Sequence, residues 1–117
     1  MATRQTNELG FTIANGQSLS AALKLNGGFL EGVYMPAAWT AAGLSFAVCE
    51  TEAGTYVPLV DSLGAEVTLT VAAGQAIALP IGAVRGWNWI KLRSGTSAAA
   101  VNQGADRALV AVTRPYS

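Results

Sequence analysis

The chain has 117 residues and a mass of 12.0 kDa, and its 7 basic and 7 acidic residues give a net charge of zero. That length suits one domain with its own core, and 51% apolar against 12% charged residues argues against disorder. The chain has no histidine and no basic cluster, so the composition excludes most histidine-dependent catalysis and argues against nucleic-acid binding.

Short apolar runs with a period of two recur along the chain, separated by Gly, Asn, Asp and Pro. This period predicts β-strands, because alternate side chains of a strand point to opposite faces. In chain order the runs cover residues 19–25, 29–35, 44–50, 55–61, 67–71, 75–79, 87–94 and 107–113. Only residues 37–42 are predicted to form a single helical turn.

We therefore predict an all-β fold, an antiparallel β-sandwich of about eight strands within residues 16–117. Residues 1–15 are predicted to form an N-terminal arm, since polar residues there separate isolated apolar ones. The pattern alone leaves immunoglobulin-like, jelly-roll and up-and-down topologies open. No segment has the continuous apolar core of a signal peptide or a membrane span, which favours a soluble protein made in a cytoplasm.

The composition also favours self-association. The chain has 22 alanines and 13 glycines and few charges, so its surface is expected to be smooth and weakly polar. A monomer with such a surface risks association through its sheet edges. An oligomer, or a subunit of a lattice, would keep part of that surface covered.

Two tryptophans are the first candidates for a binding surface. Trp87 and Trp89 lie two apart in a predicted strand, so both rings are expected on one face, followed there by Lys91 and Arg93. Paired aromatic rings beside cations suit a sugar or a partner protein. The same rings could instead cover the core of the sandwich, and the sequence leaves these three interpretations open.

No catalytic or metal-binding constellation is predicted, and no cofactor. The carboxylates near the turns are expected to be solvated or to hold turn hydrogen bonds; they are Glu50, Glu52, Asp61 and Glu66. Cys49 lies in an apolar run and is expected to be a buried, inert thiol, because the chain has no histidine to activate it. We therefore expect a protein that is not an enzyme.

Three stretches of the chain carry a resemblance: PAAWTAAGLSFAV, GTYVPLVDSLGAEVTLTVAAGQAIALP and WIKLRSGTSAAAVNQGADRALVAVTRP. Together they resemble the small capsid cement, or head decoration, proteins of tailed phages that infect alphaproteobacteria. The resemblance covers roughly residues 16–115. It implies a jelly-roll sandwich that forms homotrimers, binds the major capsid protein on the outside of the head and stabilises the lattice, with no role for nucleic acid or a membrane.

The resemblance supplies no motif that fixes contact residues, so these are chosen by physical type. For the capsid contact we choose the N-terminal arm, because an extended polar segment can add a strand to a neighbour; the residues are Arg4, Gln5, Asn7 and Phe11. For the trimer contact we choose Trp39, Trp87 and Trp89.

Two other functions remain open at this point. The first is a carbohydrate- or host-binding module of a head fibre or tail, with Trp87, Trp89 or Tyr56 as the sugar platform. The second is a ring-forming component of a tail tube or baseplate.

Overall fold

The alternating apolar pattern is realised as nine short strands in the computed structural model, which describes residues 7–80 and 82–115. No helix occurs in those residues. In chain order the strands are β1 (Asn7–Ile13), β2 (Leu23–Lys24), β3 (Phe29–Tyr34), β4 (Leu44–Cys49), β5 (Val57–Pro58), β6 (Thr68–Leu69), β7 (Ala76–Ala78), β8 (Trp89–Ser94) and β9 (Arg107–Arg114). The eight predicted runs contain β2 to β8 and all of β9 except Arg114, and β1 is the additional strand.

The strands form two antiparallel sheets, which confirms the predicted sandwich. Sheet A has the order β1-β9-β3-β7, and sheet B has the order β2-β8-β4-β5, with β6 also paired to β4. The first half of the chain thus pairs with the second half in reverse order, β1 with β9, β2 with β8, β3 with β7 and β4 with β5 and β6. This nested arrangement, closed by the β3–β9 and β4–β8 pairs, is that of a jelly roll.

The first strand corrects the prediction of a free arm over residues 1–15. From Asn7 to Ile13 every residue has a register partner on β9. Phe11 and Ile13 are only 6% and 0% exposed, and both belong to the core. Residues 7–13 are therefore part of the sandwich; the rest of the predicted arm before Asn7 lies outside the described residues.

The core lies between the sheets and is filled by the inward positions of the long strands. On β8, Ile90 and Leu92 are fully buried while their neighbours are half-buried, as the alternation predicted. On β4 the pattern differs, because Ser45 and Ala47, which alternate with the core residue Phe46, are just as buried. Their burial means that other side chains cover the outer face of sheet B at β4.

A buried glutamine ties three segments together at one end of the sandwich. Gln103 is 1% exposed, and its Oε1 accepts hydrogen bonds from the Thr40 backbone N–H at 2.8 Å and from Arg107 Nε at 3.1 Å. Its Nε2 donates to the Thr40 carbonyl at 3.1 Å and to Ser94 Oγ at 2.7 Å. The predicted helical turn over 37–42 is wrong for this reason, since both backbone groups of Thr40 bind this side chain instead of forming a turn.

Replacing this amide should cost more stability than replacing an exposed one. Gln103→Met preserves the length of the side chain but removes the hydrogen-bond partners of the partly buried N–H and C=O of Thr40. We expect the free energy of unfolding in urea to fall by about 2–4 kcal/mol. Gln75→Met is the control, because Gln75 is exposed, and it should change stability by less than about 0.5 kcal/mol. Equal losses in the two variants would contradict this role.

Candidate functional site

The outer face of sheet B is covered by long side chains of the chain itself. Lys91 Nζ lies 4.5 Å from the centre of the Tyr56 ring, and Lys24 Nζ lies 6.0 Å from the centre of the Trp89 ring. Both pairs have the geometry of cation–π contacts. Trp89 and Tyr56 are therefore only half-exposed, and each ring has a cation over it where a sugar would have to stack.

A second polar cluster covers the other end of this face. Arg93 Nη1 donates to Glu66 Oε2 at 3.2 Å and to Ser45 Oγ at 3.3 Å. The same carboxylate accepts from the Ser97 backbone N–H at 3.0 Å, so it joins β8 to the loop that follows it. The side chains of Arg93 and Glu66 are only 13% and 18% exposed, which explains why Ser45 beneath them is buried.

The environment of the Tyr56 hydroxyl alters its pKa. Partial burial, with the negative groups of Cys49 and Glu52 nearby, raises the pKa of Tyr56 above 10.0. Its hydroxyl donates to the Glu52 carbonyl at 2.9 Å, which also favours the neutral phenol. Above pH 10 the folded state therefore holds this proton more tightly than the unfolded state, and stability falls as the pH rises through that window.

Trp87 lines a candidate ligand cleft beside β4 and β5 of sheet B. It lies just before β8 and is 38% exposed. The cleft has a volume of about 460 Å³, and the side chains that line it are mostly apolar or small; they are Val48, Cys49, Glu50, Thr51, Gly54, Thr55, Val57 and Trp87. This size is within the range of small-molecule sites.

The three tryptophans chosen for a trimer contact do not form one surface. Trp39 packs against the core, and its indole N–H donates to the Ala42 carbonyl at 3.0 Å, close to the start of β4. Trp89 pairs with Cys49 at the far end of β4, about 17 Å away along the strand. Trp87 remains the exposed member of the set, whereas Trp39 and Trp89 are half-buried.

The residues chosen for the capsid contact also separate. Arg4 and Gln5 lie outside the described residues. Asn7 is exposed at the start of β1, where a contact with a neighbour is possible. Phe11 is a core residue, as described above, so we withdraw it from the capsid contact: exposing it would disrupt the sandwich.

Two of the four turn carboxylates, Asp61 and Glu66, have hydrogen-bond partners within the described part of the chain. Asp61 Oδ1 accepts from the backbone N–H groups of Leu63 and Ala65, at 2.8 and 3.0 Å, and so shapes the turn after β5. Within residues 7–80 and 82–115 no group of three or more His, Cys, Asp or Glu side chains could hold a metal ion. Cys49 departs from its prediction, because it is half-buried on the wall of the Trp87 cleft rather than fully buried.

One surface, the outer face of sheet A, was not predicted from the sequence. Two rows of paired residues run across all four strands: Gly10, Val110, Tyr34 and Ala76 in one, and Glu8, Val112, Gly32 and Ala78 in the other. Long side chains cover only one end of this face, where Arg114 lies over the Phe29 ring and pairs with Glu31, and Tyr34 stands 48% exposed on the rest. The alternation of Leu9, Phe11 and Ile13 would have revealed β1, and with it the outward position of Gly10.

Comparison with known proteins found no relative of this chain. No family model matches the chain, and neither a curated protein nor a solved structure is significantly similar to it. In the part of the chain that the structure describes, no helix has the length and apolar character to span a membrane.

The negative charge of Glu52 contributes to the raised pKa of Tyr56, so removing that charge should lower this pKa. Glu52→Gln leaves the carbonyl acceptor in place and removes only the charge. We expect a lower pKa for Tyr56, measured by the ultraviolet absorbance of tyrosinate, with Tyr56→Phe used to assign the signal. The exposed Glu8 lies on sheet A, and Glu8→Gln should leave this pKa unchanged. A Tyr56 pKa unaffected by Glu52→Gln would refute the contribution.

Proposed function

We propose that the chain is a non-enzymatic structural protein of a tailed-phage virion, a cement or decoration protein that binds the outer surface of the head and stabilises the capsid lattice. It acts as a homotrimer whose partner is the major capsid protein. The observation that carries the proposal is the jelly-roll strand order, β1-β9-β3-β7 over β2-β8-β4-β5. The sequence resemblance implied a jelly roll, while the alternation of residues left three topologies open.

The distribution of polar groups supports a role based on contact rather than on chemistry. Polar side chains with hydrogen-bond partners hold the chain together: the buried Gln103 joins three segments, and Arg93 with Glu66 covers β4. The large uncovered surface is instead an apolar sheet face. Such a division suits a subunit that works by fitting its surface against other subunits.

Lattice binding does not require a tight contact in each subunit. When a trimer engages several capsid subunits, the later contacts are effectively intramolecular, and weak contacts together give strong attachment. The proposed capsid contact is the segment that precedes β1 together with the exposed Asn7, which opens that strand at one edge of sheet A. An extended segment at this place can add a strand to a capsid subunit.

The test is a binding assay with purified heads that lack the protein. The full chain should sediment with the heads and raise their resistance to heat. Deletion of residues 1–6 should weaken binding by roughly tenfold or more, and the sandwich should remain folded because β1 begins at Asn7. Failure of the full chain to bind heads at saturation would refute the function. Unchanged binding of the shortened chain would refute only the assignment of the contact.

The Trp87 cleft favours one alternative, a carbohydrate- or host-binding module of a head fibre or tail. An exposed indole beside a cleft of about 460 Å³ can stack a sugar ring. The cement proposal predicts no binding on a glycan array. Binding that is lost in Trp87→Ala and kept in Trp39→Ala would instead establish the alternative, because Trp39 lies outside the cleft.

A further inference from the structure

The outer face of sheet A combines a protruding aromatic ring with positions that lack a side chain. Tyr34 projects from β3, and Gly10 lies on the same row, two strands away and so about 10 Å distant. A methyl group added to Gly10 would have no neighbour within 4 Å, so the space above it is open. Glycine weakens a strand interior and often marks the close approach of another backbone or ligand.

Gly32, which lies directly beside Tyr34, is not open in the same way, because it is buried and a methyl group added to it would lie 2.9 Å from the Ile77 carbonyl oxygen. Gly32 pairs with Val112 on one side and with Ala78 on the other, and all three lie along a shallow groove of about 230 Å³ next to Tyr34. The face therefore carries a projection at Tyr34 and an open position at Gly10. Apolar residues complete the surface between them, with Val110 and Val112 half-buried and Ala76 and Ala78 exposed.

We propose that this face is a self-association surface whose occupant is a second copy of the same chain, with Tyr34 of one copy packed over Gly10 of the next. Because projection and recess share one face, two copies can make the contact reciprocally, and three can make it around a ring. The second arrangement is the trimer that the resemblance implies. The inference concerns the isolated chain and does not depend on the capsid assignment.

The charges favour a copy of the chain over a partner of strong charge. The chain has no net charge, so two copies do not repel each other as whole molecules. Arg114 is already paired with Glu31 of its own chain at 3.4 Å, so the formal charges left at the margins of the face are Glu8 on β1 and Arg85 beside the Phe29 ring. Because both signs of charge occur on this face, an acidic side chain of one copy can pair with a basic side chain of the other.

The area of the face indicates how strongly two copies of the chain should associate. Four strands at about 4.8 Å spacing, with the length of β9, give roughly 500 Å² on each copy, below the about 800 Å² of a stable standard interface. The association should therefore be weak in solution. We expect a dissociation constant between about 1 μM and about 1 mM.

The test is sedimentation velocity of the free chain from about 10 μM to about 1 mM. The wild-type mass should rise with concentration towards two or three times 12.0 kDa. Gly10→Arg places a long charged side chain in open space, and Tyr34→Ser removes the projection. Each should weaken association by roughly tenfold or more, with circular dichroism and urea unfolding showing that both variants fold.

Two matched controls lie away from this face. Ala53→Arg adds the same side chain to an exposed loop of the other sheet, and Leu63→Ser removes a side chain that is 92% exposed. Both should associate like wild type. A chain that stays monomeric throughout, or that loses association equally in the controls, overturns the inference. Loss of association in Trp87→Ala but not in Gly10→Arg also overturns it and assigns the contact to the Trp87 cleft.

Discussion

The architecture depends on the antiparallel pairing of β9 with both β1 and β3. These two ladders form the centre of sheet A, and the residues they turn inward, among them Phe11, Val33 and Leu109, fill the core against sheet B. The same ladders turn Gly10, Val110 and Tyr34 outward in one row. One set of backbone hydrogen bonds therefore determines both the stability of the core and the composition of the exposed face.

The two outer faces of the sandwich have different roles. On sheet B, Lys91 lies over Tyr56 and Arg93 binds Glu66, so the chain covers its own strand β4 and leaves the Trp87 cleft at one end. On sheet A no comparable layer covers the paired rows in the described part of the chain. A partner therefore meets mostly fixed polar contacts on one side and an apolar sheet on the other. The capsid and self-association proposals both place their contacts on sheet A, at its β1 edge and on its face.

The sequence predicted what depends on local alternation and missed what depends on distant contacts. The positions of β2 to β9 and the outward direction of Trp89, Lys91 and Arg93 follow from a period of two. The jelly-roll order could not be chosen, because it rests on partners that are far apart in the chain. Nor could local pattern show that Gln103 would occupy the backbone of Thr40, or that β9, apolar on both sides, would have one side uncovered.

The nested strand order also has a consequence for how the chain folds. Most strands of the first half of the chain pair with strands of the second half, and β9, the last of the nine strands in chain order, lies between β1 and β3 in sheet A. Folding dominated by such distant pairs is slow, because long loops must close before their contacts contribute. The outer face of sheet A thus forms only when the whole roll has closed. If this face is the proposed self-association surface, the chain gains it in the same late event that completes its core, and an unfinished chain cannot associate through it.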